Sequence, residues 1–427
     1  AKAGQLADAT YFAKLSLALG LDEATLELLP PTFPRFADAF ATIVERPLLA
    51  AARRHMALGQ IDLAANSLRQ HLAFEPDHAE TQRELAAAAF ALDQPWVAAN
   101  VLALTHKAGN ATAADTSLLA RAHAAMGDAA TAEVQHRQAM AAAPEDAAIA
   151  AQRLVEMPLV PGVTVESLRD SSADWARRFA RGAEPASPAP ASPGRQRVGF
   201  LCAALADARD KDLLADMAMG LPADRYELFA YGLGELETPG NAVLRAGFKK
   251  WRNCAELDAD TLAFSIQSDG IDVLFDLGGH RSPLHLIALA QRPAPLQVAW
   301  LGSVSPLGLA SIDAVLADPA TDPEGVAEKD FAQRLYRLPH GLRVYRRPSA
   351  EIPAPDSSGG VCFGADVGID QLHPDLCASW AGILKAVPKS CLLHQGRRLA
   401  DQSMARRLID RFAPHGGGQQ IDVVFGP

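Results

Sequence analysis

Long apolar runs and signal-peptide features are both absent from this 427-residue sequence. No stretch reaches the roughly 18 apolar residues that a helix needs to cross a bilayer. The first 21 residues lack the basic region with which a secretory signal begins. We therefore expect no membrane insertion and a cytoplasmic location.

Cysteine is scarce and has no metal-site spacing. The number is odd, the positions are far apart and no CxxC pair occurs, which favours reduced thiols over a disulfide framework or a zinc site. Three histidines of the N-terminal half, His106, His123 and His136, are 17 and 13 residues apart and do not share one helix face. We expect no metal. The cysteines are Cys202, Cys254, Cys362, Cys377 and Cys391.

Positive charge is also in short supply. The chain has 40 Lys and Arg against 50 Asp and Glu, a formal net charge of −10, and no long basic block. A broad phosphate-binding surface is thereby excluded, and with it a nucleic-acid partner. No P-loop, HExxH or GxSxG motif occurs. We predict no cofactor.

Residues 45–146 contain a repeat of 34 residues. Alanines at 52, 86 and 120 share one phase, and alanines at 64, 98 and 132 share another. Gly59, Asp93 and Gly127 recur in the same way, as do Pro76, Asn110 and Pro144. The small residues suit the crossing of two helices, and the Gly/Asp position suits a left-handed residue that ends the first helix. The pattern predicts three tetratricopeptide repeats, which bind other proteins.

Composition divides the rest of the chain. Residues 1–44 are predicted to be a helical capping segment, and residues 147–182 a helical extension of the repeats. Residues 183–194 (AEPASPAPASPG) predict a Pro/Ala/Ser linker without regular structure. Residues 195–350 and 351–427 then predict a first Rossmann-like domain and part of a second.

Beyond the linker, short apolar runs alternate with helical patterns, which indicates parallel βαβ units. The predicted strands are Arg197–Leu205, Tyr226–Leu233, Ile271–Leu277, Leu296–Leu301, Gly360–Phe363, Ser390–His394 and Ile421–Phe425. The predicted helices are Leu213–Leu221, Leu257–Ser268, Leu284–Gln291, Pro374–Val387 and Ser403–Ala413. The fold class is therefore a helical repeat array followed by α/β layers.

One long segment carries a family resemblance. Residues 269–302, DGIDVLFDLGGHRSPLHLIALAQRPAPLQVAWLG, closely resemble the protein O-linked N-acetylglucosamine transferases (O-GlcNAc transferase and SPINDLY-like proteins). Further matches are RVGF at Arg197, YELFAY at Tyr226, RLYRLP at Arg334 and WAGILKAVPKSCLL at Trp380. The resemblance implies tetratricopeptide repeats ahead of a two-Rossmann (GT-B) region, and transfer of a sugar from UDP to a Ser or Thr hydroxyl.

The motifs that the resemblance assigns to catalysis are altered here. In the family loop SxDFxxHPV, the Asp position is Ala204 and the active-site His position is Ala208. In the family pattern FGSFNNLAKLTP, the Lys that contacts the phosphates is replaced by Gln371. Asp366 and Asp370 add negative charge nearby. The acceptor loop after Gly302 keeps only its last glycine, and the part that holds the nucleotide in the family is not found before residue 427.

Three family residues remain at their positions. His280 follows a predicted strand at its carboxyl end, where α/β sheets place ligands, or it caps a loop. Arg292 and Gln297 are nucleotide-sugar-binding candidates by resemblance, although a structural role in the loop around Pro293 and Pro295 is favoured. No catalytic residue is assigned, and His280 is the residual candidate.

Three functions are compatible with these features. The favoured hypothesis is a protein-binding relative that has lost sugar transfer. The alternatives are an active UDP-GlcNAc protein transferase that lacks its remaining part here, and a transferase for another nucleotide sugar. A further partner could cover the incomplete second Rossmann-like domain. The protein-binding candidates in the groove of the repeats are Arg53, Asn66, Arg83, Asn100 and Arg121.

Overall fold

A computed structural model describes residues 46–181, 194–202, 208–232, 242–301, 306–342, 360–416 and 421–424. The chain forms two compact units. The first contains the residues up to Gln135 together with those from Gly360 onward, and the second is His136–Gly359. The capping segment predicted at 1–44 and nearly all of the predicted linker lie outside the described residues. The predicted domain boundaries stay predictions.

The repeats form helical hairpins. The helices are α1 (Arg46–Ala57), α2 (Ile61–Phe74), α3 (Ala79–Ala91), α4 (Pro95–Lys107), α5 (Ala113–Ala125) and α6 (Ala129–Ala142). The phase-matched alanines are buried: those at 52, 86 and 120 are 0% exposed, and those at 64, 98 and 132 are at most 2% exposed. Gly59, Asp93 and Gly127 have φ of 69°, 61° and 81°, the left-handed turn that the pattern predicts.

Two more helices follow in the second unit at nearly the same spacing along the sequence. Helix α7 (Ala147–Glu156) begins 34 residues after α5, and α8 (Val165–Phe179) begins 36 residues after α6. The Asp146 side chain caps α7 by accepting from the backbone N–H of Ala148 and Ile149. Thr164 and Ser167 form a capping box at the start of α8. The predicted helical extension is thus a fourth hairpin.

The second unit contains one parallel sheet of seven strands in the order β3-β2-β1-β4-β5-β6-β7. The strands are β1 (Gln196–Cys202), β2 (Tyr226–Gly232), β3 (Lys250–Asn253), β4 (Val273–Asp276), β5 (Leu296–Ala299), β6 (Ala314–Ala317) and β7 (Arg334–Arg337). Its described helices are α9 (Ala208–Gly220), α10 (Ala242–Gly247), α11 (Ala259–Asp269) and α12 (Pro283–Ala290). The predicted fold class, a helical array followed by parallel α/β structure, is confirmed.

A second, smaller parallel sheet belongs to the first unit. It has the order β10-β9-β8, with β8 (Cys362–Ala365), β9 (Cys391–Gln395) and β10 (Ile421–Val424). Helices α13 (Pro374–Ala386) and α14 (Gln402–Phe412) connect these strands. Their apolar side chains share one buried cluster with the repeats, including Leu102 and Leu119 from the repeats and Leu372, Leu408 and Phe412 from this segment. The C-terminal segment therefore packs on the second and third hairpins.

The interpretation of all cysteines as reduced thiols is wrong for one pair. Cys362 and Cys391 are register partners on β8 and β9, with Cα atoms 4.7 Å apart, and they form a disulfide. Cross-strand pairing brings them together, and their separation of 29 residues in the sequence gave no sign of it. Cys202, Cys254 and Cys377 are free and buried. Among the described helices, none is long and apolar enough to span a membrane.

Candidate functional site

The loop that carries His280 is held by the strand before it. Asp276, the last residue of β4, accepts hydrogen bonds from the backbone N–H groups of Gly278 (3.1 Å) and Gly279 (2.9 Å). The Asp276 side chain is 1% exposed, and this burial raises its pKa to about 6 although both hydrogen bonds act in the opposite direction. Gly279 has a φ of 54°. A buried carboxyl thus shapes the turn that follows the carboxyl end of a central strand.

His280 lies inside this loop and is covered by a tryptophan of the fourth hairpin. Its side chain is 4% exposed, and its ring centre is 5.6 Å from that of Trp175 in an edge-to-face arrangement. The indole N–H of Trp175 donates to the carbonyl of Ala147 at 3.0 Å, which fixes the orientation of the indole. Burial lowers the pKa of His280 to about 4, so its imidazole is neutral at pH 7. Among the described residues, no group bonds its Nε2.

Arg292 and Gln297 join the loops around β5. The Arg292 guanidinium donates to the carboxylate of Asp313 at 2.7 Å and to the carbonyls of Ser311 and Pro295, both at 3.1 Å. The fully buried Gln297 amide donates to Leu289 O (2.9 Å) and Ser311 O (3.0 Å). Most of the N–H donors of both side chains are thus bonded to other groups of the protein. A nucleotide-sugar-binding role for either residue stays a prediction.

The structure describes some of the replaced motif positions and not others. Ala204 and the acceptor loop at 302–305 lie outside the described residues, and Ala208 begins α9. Gln371 is described: it ends a single 3-10 turn, Ile369–Gln371, just before α13, and its side chain is exposed. Gln371 belongs to the first unit, whereas His280 belongs to the second.

Arg398 contacts Asp370, the residue before Gln371, and also contacts the repeats. Its guanidinium lies 3.5 Å from Asp370, donates to the Asp93 carboxylate at 2.6 Å and donates to the Ala125 carbonyl at 2.8 Å. Arg411 of α14 makes a similar connection, because it donates to the carbonyls of Gly127 and Leu372. Two arginines of the C-terminal segment thus bind the left-handed turns at Asp93 and Gly127.

Sequence reasoning missed Trp175, Asp276, Arg398 and Arg411. One signal was available, and only for Arg398. The second repeat has an aspartate where the first and third have glycine, which offers a carboxylate to a cation from another part of the chain. For Trp175, the sequence contained only an apolar stripe on a helix, which does not indicate which loop the helix covers.

Most of the predicted groove residues have partners within the repeats. Arg53 contacts Glu80 at 2.7 Å and Glu84 at 3.3 Å, and Arg83 contacts the buried Asp115 at 2.7 Å. These ion pairs join the first helix of one hairpin to the first helix of the next. Asn66 accepts from Arg69 at 3.1 Å, Arg121 lies 4.5 Å from the centre of the Phe90 ring, and Asn100 is exposed. Their role in binding a partner stays a prediction.

No cluster of three or more His, Cys, Asp or Glu residues with metal-binding geometry occurs in the described part of the chain. Two of the three histidines that were considered as metal ligands contact other side chains of the protein. His136, at 1% exposure, pairs with Glu156 at 2.8 Å, and His106 contacts Thr116 at 3.0 Å.

Comparisons with known proteins agree with this architecture. Residues 185–345 match glycosyl transferase family 41. Probable UDP-N-acetylglucosamine–peptide N-acetylglucosaminyltransferase SPINDLY of Solanum lycopersicum is 34% identical over 164 residues, 37% of this chain and 17% of the relative. The corresponding SEC protein of Arabidopsis thaliana is 23% identical over 214 residues, 46% of this chain and 22% of the relative. The chain thus spans about a fifth of the length of these relatives.

The solved structure of a mutant O-GlcNAc transferase from Thermobaculum terrenum has the same fold. It superimposes with a TM-score of 0.82 at 23% identity and covers 90% of this chain and 74% of that one. The predicted resemblance is therefore confirmed: the chain carries a region similar to glycosyl transferase family 41 at residues 185–345 and is similar in fold to an O-GlcNAc transferase.

Proposed function

We propose that this O-GlcNAc-transferase-like chain binds another protein through its helical repeats and has lost the ability to transfer sugar. The surroundings of Gln371 are the observation that carries the proposal. Transfer from a nucleotide sugar develops negative charge on the diphosphate, which needs a cation or well-placed donors. At the position where the family has its phosphate-contacting Lys, this chain has an exposed neutral amide.

Arg398, which contacts Asp370, does not compensate for the replacement of Lys by Gln371. Arg398 is bonded to Asp93, Ala125 and Asp370, and every one of these partners is a protein group. Recruiting Arg398 to a phosphate would break the hydrogen bond to the Ala125 carbonyl and the partly exposed ion pair with Asp93, and the ion pair alone contributes about 0.5–1 kcal/mol. The positive charge of Arg398 therefore helps to attach the C-terminal segment to the repeats.

The state of His280 supports the same proposal. A general base must reach the proton that it removes, within hydrogen-bond distance or through one water. His280 is 4% exposed beneath Trp175, and burial holds its pKa near 4. A side chain in this condition is a weak base and is shielded from an acceptor hydroxyl.

An active transferase for UDP-GlcNAc, or for another nucleotide sugar, is the second candidate. Two observations favour it. The family 41 match covers residues 185–345, and the unpaired Nε2 of His280 lies at the carboxyl end of a central strand, where ligands of such sheets bind.

A transfer assay separates the two candidates. The full chain is incubated with radiolabelled UDP-GlcNAc and a mixture of Ser/Thr peptides, in parallel with the variant Gln371→Lys. We expect no label on peptide with the native chain. Incorporation that depends on the native chain would overturn the proposal. Gain of incorporation in Gln371→Lys alone would show that the missing cation is the decisive loss.

Protein binding is tested on the full chain, because the C-terminal segment packs on the repeats. A photoreactive amino acid is placed at Asn100, which is exposed on α4. The matched control carries the same group at Phe264 on α11, which is 69% exposed in the second unit. The proposal expects a defined cross-linked partner from Asn100 and not from Phe264. Equal products from both positions would contradict it.

A further inference from the structure

A row of basic side chains crosses the amino ends of β1, β2 and β3. Arg195 precedes β1 and Arg197 lies within it, while Lys249 precedes β3 and Lys250 begins it. All strands of this sheet are parallel, so these residues lie at the amino ends of the strands, and we call this surface the basic edge. The Asp276–His280 loop lies at the opposite, carboxyl ends. The formal charge of the whole chain is −10, so a basic edge of this kind runs against the charge of the molecule.

Only a few described carboxylates balance these cations. Glu227 of β2 contacts Arg195, Lys249 at 2.7 Å and Arg197 at 3.7 Å. Three positive groups thus share one negative group. Arg195, Arg197 and Lys249 are 49%, 41% and 53% exposed, so an incoming anion can reach them, whereas Glu227 is only 9% exposed.

A second carboxylate, Asp269, binds two cations of β3. Asp269 contacts Lys250 at 2.6 Å and Arg252 at 2.9 Å, and accepts a hydrogen bond from the hydroxyl of Tyr231 at 2.9 Å. The cations hold the pKa of Asp269 at about 2, against the effect of burial. This carboxylate stays charged at any physiological pH and fixes Lys250 and Arg252 in place.

An open cleft lies within the basic edge. It has a volume of about 290 Å³, and its wall includes Arg195, Glu227 and Lys249. Apolar side chains form the remainder, among them Ala218, Leu221 and Leu228. The lining of the cleft therefore combines two cations and one carboxylate with apolar surface.

We propose that this basic edge binds an extended acidic peptide segment, with carboxylates on Arg195 and Lys249 and one apolar side chain in the cleft that they line. Arg195 and Lys249 bind the two oxygens of one carboxylate, Glu227, so their charged groups lie within about 7 Å of each other. Residues i and i+2 of an extended chain point to the same side and are about 7 Å apart as well. Charge and spacing both match an extended peptide with acidic residues at i and i+2 and an apolar residue at i+4 on the same face.

The surface contains no residue of the repeats and does not depend on the loss of sugar transfer. It also differs from a phosphate site. Phosphate sites usually add backbone N–H donors from a glycine-rich turn or a helix N-terminus to the side-chain cations. Here side chains supply the positive charge, and the backbone N–H of Gln196 already donates to Arg225 O at 2.8 Å. Guanidinium groups bind carboxylates in a planar, two-point manner.

Fluorescence anisotropy on the full chain tests the proposal. The probe is a labelled peptide with the repeat Glu-Ser-Glu-Ser-Leu-Ser, and the same peptide with Lys in place of Glu is the comparison. The chain variant is R195Q/K249Q, and the matched control is R177Q/R181Q, which removes two exposed arginines from α8 and the residue range just after it. We expect R195Q/K249Q to weaken binding by about tenfold and the control to leave it unchanged.

Other outcomes would overturn the proposal. They are equal binding of the Lys peptide, equal affinity of R195Q/K249Q and the native chain, or no binding of the Glu peptide at low salt. If inorganic phosphate displaced the peptide at the same concentration at which phosphate alone binds, the surface would be a general anion site instead. If R195Q/K249Q does not fold, the single variant Lys249→Gln leaves the Arg195–Glu227 contact and is expected to weaken binding about threefold.

Discussion

The guanidinium of Arg398 donates a 2.6 Å hydrogen bond to the carboxylate of Asp93, a residue 305 positions earlier in the chain. Asp93 occupies the left-handed turn of the second hairpin, with a φ of 61°, where the first and third hairpins have glycine. The same arginine reaches the carbonyl of Ala125 in the third hairpin. One side chain thus attaches the C-terminal sheet to two successive repeats.

Removing this contact should loosen the first unit. Asp93→Gly keeps the left-handed turn, since glycine adopts it readily, and removes only the carboxylate. Because Asp93 and Arg398 are 43% and 29% exposed, we expect a loss of only about 0.5–1 kcal/mol in the free energy of unfolding. Arg398→Ala should cost more, since the Ala125 carbonyl also loses its donor. Denaturant unfolding with both single variants and the double variant gives the coupling energy.

Arg397→Ala is the control for that cycle, because Arg397 is the exposed neighbour of Arg398. Strict additivity of Asp93→Gly and Arg398→Ala would mean that the two side chains do not interact in solution.

Trp175 should stabilise the second unit more than any exposed aromatic does. The indole is 3% exposed, lies against His280 and donates to Ala147. Trp175→Ala leaves a cavity and an unpaired carbonyl, for which we expect a loss of about 3–5 kcal/mol in the free energy of unfolding. Thermal and denaturant unfolding measure this loss. Phe264→Ala, at a position that is 69% exposed, should change it by less than about 0.5 kcal/mol, and a similar loss at both positions would refute the packing account.

Two buried histidines should make the second unit acid-sensitive. Burial lowers the pKa of His280 and of His285 to about 4, below their ordinary value near 6.5. The unfolded chain therefore binds more protons than the folded chain between pH 6.5 and 4. Each histidine contributes stability that is present above pH 6.5 and is lost as the pH falls toward 4, by about 3 kcal/mol for a shift of this size.

Asp276 acts in the opposite direction over an overlapping range. Its folded pKa, about 6, lies above its ordinary value of 3.8, so the folded chain holds a proton that the unfolded chain releases. Its contribution is present below pH 3.8 and is lost as the pH rises through 6. The net stability should still rise from pH 4 to 6.5, because two histidines outweigh one aspartate.

Unfolding free energies measured between pH 4 and 7 check this balance. His285→Gln should flatten the rise, whereas Asp276→Asn should steepen it even if it lowers stability overall. A slope that neither variant changes would show that these groups titrate normally in the folded chain.

The disulfide between Cys362 and Cys391 predicts a defined count of thiols. Under denaturing conditions without reductant, a thiol reagent should modify the three free cysteines and no others. After reduction all five should react. Closing a loop of 29 residues stabilises a fold by about 3–4 kcal/mol in the chain-entropy model, so Cys362→Ala should lower the stability of the C-terminal segment. Modification of five thiols before reduction would contradict the pairing.

The sequence predicted the periodic features of the fold well, because each rests on local pattern. The 34-residue phase placed the alanines of the helix crossings and the left-handed turns at Gly59, Asp93 and Gly127. Apolar runs located β1, β2, β4 and β5 to within a few residues. Strands β3, β6 and β7 were not predicted. Length is not the reason, because β4 and β5 also have four residues; β3 (KWRN) and β7 (RLYR) carry alternating basic residues instead of an apolar run.

The site was harder to predict, because it depends on contacts between distant segments. The motif comparison placed His280 at the end of a strand, yet the cover provided by Trp175 requires knowledge of how the fourth hairpin packs. The replacement at Gln371 was visible in the sequence. The diversion of Arg398 to Asp93 and the pairing of Cys362 with Cys391 arise only when the C-terminal sheet meets its partners.

Calorimetric titration of the full chain with UDP and UDP-GlcNAc tests the central claim most directly. With an exposed amide at Gln371 and Arg398 bonded to protein groups, the account predicts no binding tighter than about 1 mM, which corresponds to roughly −4 kcal/mol. Gln371→Lys should gain affinity if the missing cation alone prevents binding. A dissociation constant in the micromolar range for the native chain would contradict the loss of nucleotide-sugar binding.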